Sequence, residues 1–549
     1  MTAGNGAHHR LRRTAAHAAF AVQRQVLLDL RTDLAAARAA FAWPRPAEFN
    51  WALEWFDVVA EANDRTALEV STPDGGVDAV SYRRLAEESD QVANWLTASG
   101  VARGERVLVC LGQQTELWTT LLAGLKTGAV VIPVYTSLTA SEAADRVARG
   151  RVRHVVCRSE LTPLFAGLPL ATRVVVGAPV PGWAAYADSR TADRRYLPTA
   201  ATRSTDPAMA YFTSGTTSAP KLVVHTHASY PIGHLSSLYF NGLLPGDRHV
   251  NVSAPGWAKH SWSSLFVPFT AEATVVALSD AQAAPEALGG VLERRNISTL
   301  CAPPSVWAAL VGHLGTAAPK LREATTAGEP LPAPVAAAVE AAWGVTVREG
   351  YGQTETTALA GTTPGMVHRP GWLGKPLPGW DLRVTDGHIE VDLAGDPAGM
   401  LAGYDGREVL VRTAGGSRRY RTGDIGEADA DGYLRVLGRA DDVFKTGGHL
   451  VSPYELEAVL RTHPAVRDAA VVPVPHPRLG QVPHGVVEVR PGCDTGAQEL
   501  LAHVAARVSG ELAVRSVEFV DRLPRTPSGK IRRAALTVPT SEERQCARP

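Results

Sequence analysis

Residues 106–148 read RVLVCLGQQTELWTTLLAGLKTGAVVIPVYTSLTASEAADRVA. The run Arg106–Leu111 is β-branched and apolar, Thr115–Lys126 is rich in leucine and alanine, Ala129–Tyr135 is apolar again, and Ala140–Ala148 returns to alanine. Strand, helix, strand, helix is the pattern of a parallel sheet covered by helices, because parallel neighbours need a crossover to bring the chain back. The same rhythm recurs at Ala208–Thr213, Lys221–His225, Thr274–Leu278, Ile297–Cys301 and Val345–Glu349. The expected class is α/β: a large N-terminal region of helix-covered sheets, followed by smaller units.

From about Gly374 glycine and proline become dense, and the short alternating runs Asp381–Thr385, His388–Asp392 and Glu408–Arg412 predict a small antiparallel β unit. Beyond Leu437 helix candidates Pro453–Arg461 and Ala497–Val508 mix with strand candidates Asp468–Pro473, His484–Arg490 and Val514–Val520, ahead of a loop at Pro524–Ile531. This predicts a small α+β C-terminal domain. The expected division is 1–45 as an N-terminal tail or helix, 46–438 as the large domain and 439–549 as the C-terminal one. No repeat of solenoid period is visible.

The 55 basic residues balance 55 acidic ones over 549 positions, so no bulk positive field exists to draw nucleic acid or a membrane surface. Five scattered cysteines without CxxC spacing (Cys110, Cys157, Cys301, Cys493, Cys546) predict neither a disulfide framework nor a zinc site. With no run near the ~20 apolar residues of a membrane span, the expectation is a cytoplasmic protein. Residues 1–27 hold Arg10, Arg12, Arg13 and Arg24 and no acid, and are expected to be a solvated tail. Lysine occurs seven times against 48 arginines, which draws the eye to each lysine; Lys221, Lys259, Lys445 and Lys530 all fall in the segments below.

Four segments carry chemistry. Tyr211–Lys221, YFTSGTTSAPK, clusters hydroxyls and glycine between two strand candidates and adds a cation, which is what a polyphosphate needs, although GxxxxGK[ST] is absent. Taken alone, such a loop is more often a plain connection. Glu349–Thr356, EGYGQTET, places the Glu355 carboxylate, a hard oxygen donor suited to Mg²⁺, on a polar turn that is otherwise unremarkable. Tyr420–Asp424, YRTGD, and Gly438–His449, GRADDVFKTGGH, offer a carboxylate for a ribose diol and a nearby arginine, Arg439; Asp441 and Asp442 read as turn formers or a hinge. Arg522–Arg533, RLPRTPSGKIRR, sets Lys530 on a proline-stiffened loop, or in a solvated basic tail.

Together, in this order over roughly residues 50–535, the four segments resemble the adenylate-forming superfamily of acyl-CoA synthetases, nonribosomal peptide adenylation domains and firefly-type luciferases. The resemblance implies that Thr213, Ser214, Gly215, Thr216, Thr217 and Lys221 handle the ATP phosphates. Gly328, Glu329 and Pro330 match a GEP segment that contacts adenine, and Tyr351, Gly352 and Gln353 lead into Thr354, beside the α-phosphate, and the Mg²⁺ ligand Glu355. Asp424 and Arg439 match the ribose-binding pair, Lys530 the lysine that steadies the carboxylate and α-phosphate, and Asp441 the hinge of a mobile C-terminal lid.

The run Gly256–Phe269 is similar to the medium-chain acyl-CoA synthetases and Val451–Glu457 (VSPYELE) to aryl-CoA ligases. The implied reaction activates a medium-chain or aromatic carboxylic acid with ATP and Mg²⁺ and transfers it to coenzyme A. Gly352 stands where acetate-specific relatives carry tryptophan, which is expected to open the acyl pocket; Trp257, Lys259, His260 and Trp307 are candidates for its lining. Three departures stand out: Ser218 and Leu222 in place of glycines, and Leu450 in place of a frequent arginine. Gly448 would lie along a pantetheine tunnel if CoA is the acceptor. The alternative is a stand-alone adenylating enzyme whose activated substrate passes to a carrier protein, an amine or a nitrogen oxyanion. A catalytically silent nucleotide-binding relative is a third reading, opposed by the presence of Lys530, Glu355 and Asp424.

Overall fold

In the computed structural model, which describes residues 12–72, 75–213, 221–317, 319–404, 412–414, 417–508, 510–526 and 530–536, the opening stretch forms the expected elements. They are strand Arg106–Cys110, helix Thr115–Thr127, strand Val130–Pro133 and helix Ala140–Arg149. The last of these starts at a reciprocal cap: the Thr139 side chain accepts from the Glu142 amide, and the Glu142 carboxylate accepts from the Thr139 amide, satisfying two otherwise orphaned donors.

The described residues divide into two units, one made of those up to Thr213, between Lys221 and Asp381, and in Asp392–Arg418, the other of Leu382–Val391 and those from Arg419 onward. Two sheets build the first unit. One runs, edge to edge, Lys375–Pro376, Thr357–Gly361, Val347–Gln353, Glu323–Ala327, Thr299–Cys301, Arg248–Asn251, Thr274–Ala277, Thr66–Ser71 and Val77–Ser81. Its centre is parallel and its margins antiparallel. The other runs Gly403–Tyr404, Lys221–Thr226, Pro207–Thr213, Val130–Pro133, Arg106–Cys110, His154–Arg158, Thr172–Val176 and Ala184–Ala185. The helices Pro285–Arg294, Pro304–Leu310 and Ala333–Trp343 pack apolar side chains onto the first sheet in a cluster that includes Leu288, Leu292, Trp307 and Val339.

In the second unit the strands Leu382–Thr385, His388–Asp392, Ser417–Ala428 and Leu434–Arg439 pair antiparallel, as the alternating runs predict. The expected run Glu408–Arg412 lies, but for Arg412, outside the described residues. Further on, helix Pro453–Arg461, the long hairpin Val466–His476 with Gly480–Val489, helix Ala497–Ala505 and strand Ser516–Val520 share a core around Leu460, Val487 and Leu500.

For the described residues from 12 onward, the expectation of a solvated N-terminal tail is corrected; residues 1–11 lie outside them. Ala15–Asp29 is a helix, N-capped by Thr14, and Phe20, Arg24 and Leu27 lie on its buried face. Spacings of four and three residues place them on one stripe. The Arg24 guanidinium donates to the Thr270 and Ala271 carbonyls at 2.5 and 3.2 Å and pairs with Glu272 at 2.9 Å, so it binds the carbonyl end of helix Val267–Ala271 instead of water. Cys110, Cys157, Cys301 and Cys493 are free thiols, and burial pushes Cys110 up to about 12, which keeps it protonated and unreactive. Among the described residues no helix is long and apolar enough to cross a membrane.

Candidate active site

In the first unit the strands Pro207–Thr213 and Lys221–Thr226 pair antiparallel, with Thr213 opposite Lys221, so the two ends of the hydroxyl-rich segment meet. Ser214, Gly215, Thr216, Thr217 and Ser218 lie outside the described residues. Gly403–Tyr404 adds to the same sheet, Tyr404 opposite Val223. The Lys221 ammonium stands 5.1 Å from the centre of the Tyr404 ring, and the Tyr404 hydroxyl donates to Glu355 Oε1 at 2.9 Å. Lys221 and Glu355, 134 positions apart, thus converge on one tyrosine that no motif singled out.

The EGYGQTET segment forms strand Val347–Gln353 and the turn after it. That strand is parallel to Glu323–Ala327, so Thr354 and Glu355 leave the sheet at the same end as Gly328, Glu329 and Pro330. Carboxyl ends of parallel strands are where α/β sheets bind ligands, since the loops there are free of ladder duties. Buried contacts hold the turn. His225 Nε2 donates to the Thr354 carbonyl at 2.6 Å, while its Nδ1 lies 3.0 Å from the Ser229 hydroxyl. Burial lowers His225 to about 4, so the ring is neutral, with one donor and one acceptor nitrogen matching this arrangement. The Leu401 amide donates to the Glu355 carbonyl at 2.8 Å. The buried Glu349 carboxylate accepts from the Leu331 amide at 2.8 Å, tying the chain just past Pro330 to the neighbouring strand, and burial lifts its proton affinity to about 7.

Glu355 is half-buried, and one of its oxygens is oriented by Tyr404. Among the described residues no group of three or more His, Cys, Asp or Glu could hold a metal. A lone oriented carboxylate suits Mg²⁺, which keeps waters and phosphate oxygens in its shell and takes one or two protein carboxylates.

One of the expected pocket residues is corrected. Trp307 is fully buried in the core, packs edge-on to Trp343 and donates to the Thr325 carbonyl at 3.3 Å. Its apolar bulk fills the layer between helices and sheet. A Cβ at the exposed Gly352 would sit 2.0 Å from the Thr357 carbonyl oxygen and 2.8 Å from Ala358 Cα, so the close approach of the next strand is itself a reason for glycine there. His260 is buried, bonded to Gln113 at 3.1 Å, and lowered by burial to about 3. Lys259 reaches the Ala327 carbonyl at 3.4 Å beside the Gly328 segment, with its ammonium 5.4 Å from the ring centre of the half-buried Trp257.

In the second unit Asp424 and Arg439 are register partners on adjacent strands and pair at 3.1 Å, Asp424 being buried. Asp441 is exposed in the turn that follows. Next to it, Arg533 grips Glu457 through Nη2 at 2.7 and 2.8 Å, lies 4.9 Å from the Tyr454 ring and reaches Asp442 at 3.5 Å, an anchor the sequence reading missed. Gly447 and Gly448, both at positive φ, turn the two-residue hairpin between Phe444–Thr446 and His449–Val451. A Cβ on Gly448 would meet nothing within 4 Å, so within the described residues it is the positive φ of the turn that favours glycine there. Lys530 closes its loop through backbone bonds with Thr526, amide to hydroxyl at 3.1 Å and carbonyl from amide at 2.7 Å. Its ammonium has no hydrogen bond or ion pair among the described residues.

Residues 55–403 match the family described as AMP-binding enzyme, and 455–530 match the AMP-binding enzyme C-terminal domain. The chain is 33% identical to 4-hydroxybutyrate–CoA ligase 1 of Metallosphaera sedula over 90% of its own length and 92% of that protein. It is 30% identical to a mitochondrial acyl-coenzyme A synthetase of Mus musculus, over 89% of this chain and 90% of that one. The crystal structure of the anthranilate CoA ligase AuaEII with anthranoyl-AMP superposes with a TM-score of 0.79 at 27% identity, covering 89% of this chain and 97% of that one.

Proposed function

We propose, on the premise that this chain belongs to the family of AMP-binding enzymes, that it is an acid–thiol ligase activating a medium-chain or aromatic carboxylic acid as its acyl adenylate and passing the acyl group to coenzyme A. The observation that carries this reading is the convergence of Lys221 and Glu355 on Tyr404, which joins the hydroxyl-rich segment to the EGYGQTET turn. The substrate class follows the relatives, named for 4-hydroxybutyrate and anthranilate.

A carboxylate is a poor acyl donor because its anion repels nucleophiles and its oxygen leaves badly. One carboxylate oxygen attacks the α-phosphorus of ATP, the α,β-anhydride bond breaks and pyrophosphate departs. A thiol then attacks the carbonyl carbon, loses its proton, and AMP leaves. Negative charge builds on phosphate oxygens in the first step, so cations placed there stabilise the transition state more than the ground state. Lys221 and the segment from Thr213 serve the departing phosphates in this reading, and Lys530 the carboxylate and α-phosphate. Gly328, Glu329 and Pro330 take the adenine. Asp424 accepts from the ribose hydroxyls, its charge balanced by Arg439, and Asp441 is the hinge. Glu355 would hold Mg²⁺, whose charge offsets that of the phosphates.

Leu450, exposed where an arginine is frequent, favours a second reading in which the adenylate is captured by an acceptor other than CoA. Incubating the protein with ATP, Mg²⁺ and pooled acids, with and without CoA, tests both. Pyrophosphate release with CoA-dependent thioester formation supports the first; pyrophosphate release with AMP retained until an amine or carrier is added supports the second. No acid-dependent pyrophosphate release overturns the adenylation common to both.

A further inference from the structure

Tyr404 lies 49 residues from Glu355 and 183 from Lys221 in the chain, yet it touches both. Its backbone is fixed as a strand: Gly403 stands opposite Val224 and Tyr404 opposite Val223, while the Ala402 amide donates to the Val224 carbonyl at 2.8 Å. On the other side the Leu401 amide binds the Glu355 carbonyl at 2.8 Å. The short stretch Leu401–Tyr404 is therefore stitched to the EGYGQTET turn at its start and to the strand of Lys221 along its length. From this bridge, the tyrosine ring lies beside the ammonium and its hydroxyl reaches the carboxylate.

Building on the reading of Glu355 and Lys221 as metal and phosphate groups, we infer that Tyr404 is a positioning residue that sets both for the nucleotide: its hydroxyl fixes one Glu355 oxygen and its ring braces Lys221. A carboxylate oxygen that accepts a hydrogen bond is held in one rotamer, leaving the other oxygen directed for a cation. An ammonium near an aromatic face gains attraction without a competing anion that would cancel its charge toward phosphate. An acid in place of Tyr404 would pair with Lys221 and repel Glu355; a phenol does neither.

The test compares Tyr404→Phe, which keeps the ring and removes the hydroxyl, with Tyr404→Leu, which removes both, and with Glu355→Gln as reference. The readout is the rise in melting temperature given by ATP without acid, titrated with Mg²⁺ or held in EDTA, since a ligand that binds the folded state stabilises it by mass action. Tyr404→Phe is expected to keep the parent's unliganded melting temperature and its response to ATP in EDTA, while needing about tenfold more Mg²⁺ for half the metal-dependent rise, the loss of one hydrogen bond to a charged group. Tyr404→Leu is expected to weaken the EDTA response as well. If Glu355→Gln shifts the Mg²⁺ requirement and Tyr404→Phe leaves it at the parent value, the positioning role is overturned and Glu355 stands as ligand. A lowered unliganded melting temperature with the parent's Mg²⁺ requirement makes Tyr404 merely structural, which also overturns it. If Glu355→Gln itself changes nothing, the metal assignment falls and this inference with it.

Discussion

The two units hold their candidate residues by different means. In the first, Thr354 and Glu355 sit in a turn gripped by partners distant in sequence: the buried His225 on a carbonyl, the Leu401 amide on another, and the half-buried Tyr404 on the carboxylate. In the second, the hydrogen bonds of Lys530 among the described residues run from its backbone to Thr526, and its ammonium is unengaged among them. Groups set by many buried contacts are preorganised, whereas an ammonium on a flexible four-carbon stem can follow charge as it develops. On the proposed reading, the contrast fits Thr354 and Glu355 as preorganised groups and Lys530 as the group that responds to the transition state.

Acid should separate the units most strongly. His225 and His227, lowered to about 4, and His249 and His260, lowered to about 3, are all kept neutral by burial in the first unit. A depressed folded value contributes stability above the unfolded value of about 6.5 that is lost as pH falls toward the folded one. Glu349, raised to about 7, acts oppositely, its stabilisation fading as pH climbs from about 4.3 toward 7. With each group worth up to ~1.4 kcal/mol per pH unit, five histidines, His234 also being lowered by burial, outweigh Glu349 together with Glu54 and Asp57, which burial likewise raises. Calorimetry between pH 6.5 and 4.5 should show the melting of the first unit dropping steeply. In the second, His503, lowered by its own partial burial, lies only half-buried, and the transition should move less. Equal shifts in the two transitions would break the contrast.

Next in size is Phe20→Ala. Emptying a fully buried ring site on the N-terminal helix should cost the first unit about 3 kcal/mol and leave the melting of the second unchanged. An unshifted first transition would return the helix to the role of a tail.

Lys530→Ala should slow adenylation by at least ~10²-fold, as single transition-state contacts do, with no change in either melting transition. Pyrophosphate–ATP exchange reads it, and a mutant at the parent rate would refute the assignment. The smallest effect is expected for Asp424→Asn, which keeps the shape but removes the charge that Arg439 balances. A loss of about tenfold in apparent affinity for ATP, seen as a raised KM with kcat nearly kept, marks a ground-state contact. An equal fall in kcat would instead place Asp424 with Lys530 among groups that act in the transition state.

Much of this was legible in the residues. The alternation in 106–148 predicts its four elements to within a few residues, and helix Pro453–Arg461 is predicted at both ends. Local patterns succeed there because strands and helices bury faces of fixed period. Pocket residues were less legible. Trp307 reads from sequence as pocket lining, but the direction of a side chain depends on what packs around it, here Trp343 and the Thr325 carbonyl; Gly352 reads as space left by a missing side chain, while the nearby Thr357 carbonyl calls for glycine in its own right. Arg24 looked like tail charge because its partners, the carbonyls at 270 and 271, lie 246 and 247 residues away.

Order and spacing along the chain were enough to show the α/β class and the family resemblance and to single out the residues proposed to meet a nucleotide, because motif chemistry is local: a hydroxyl-rich turn or a carboxylate at a strand end shows in a few adjacent letters. Which side chains brace those groups was decided by the packed structure alone. Tyr404 between Lys221 and Glu355, His225 under Thr354 and Glu349 on Leu331 are contacts that the tertiary structure makes across separations from 18 residues to more than a hundred. Hydrogen bonds act over about 3 Å of space and carry no trace of separation along the chain.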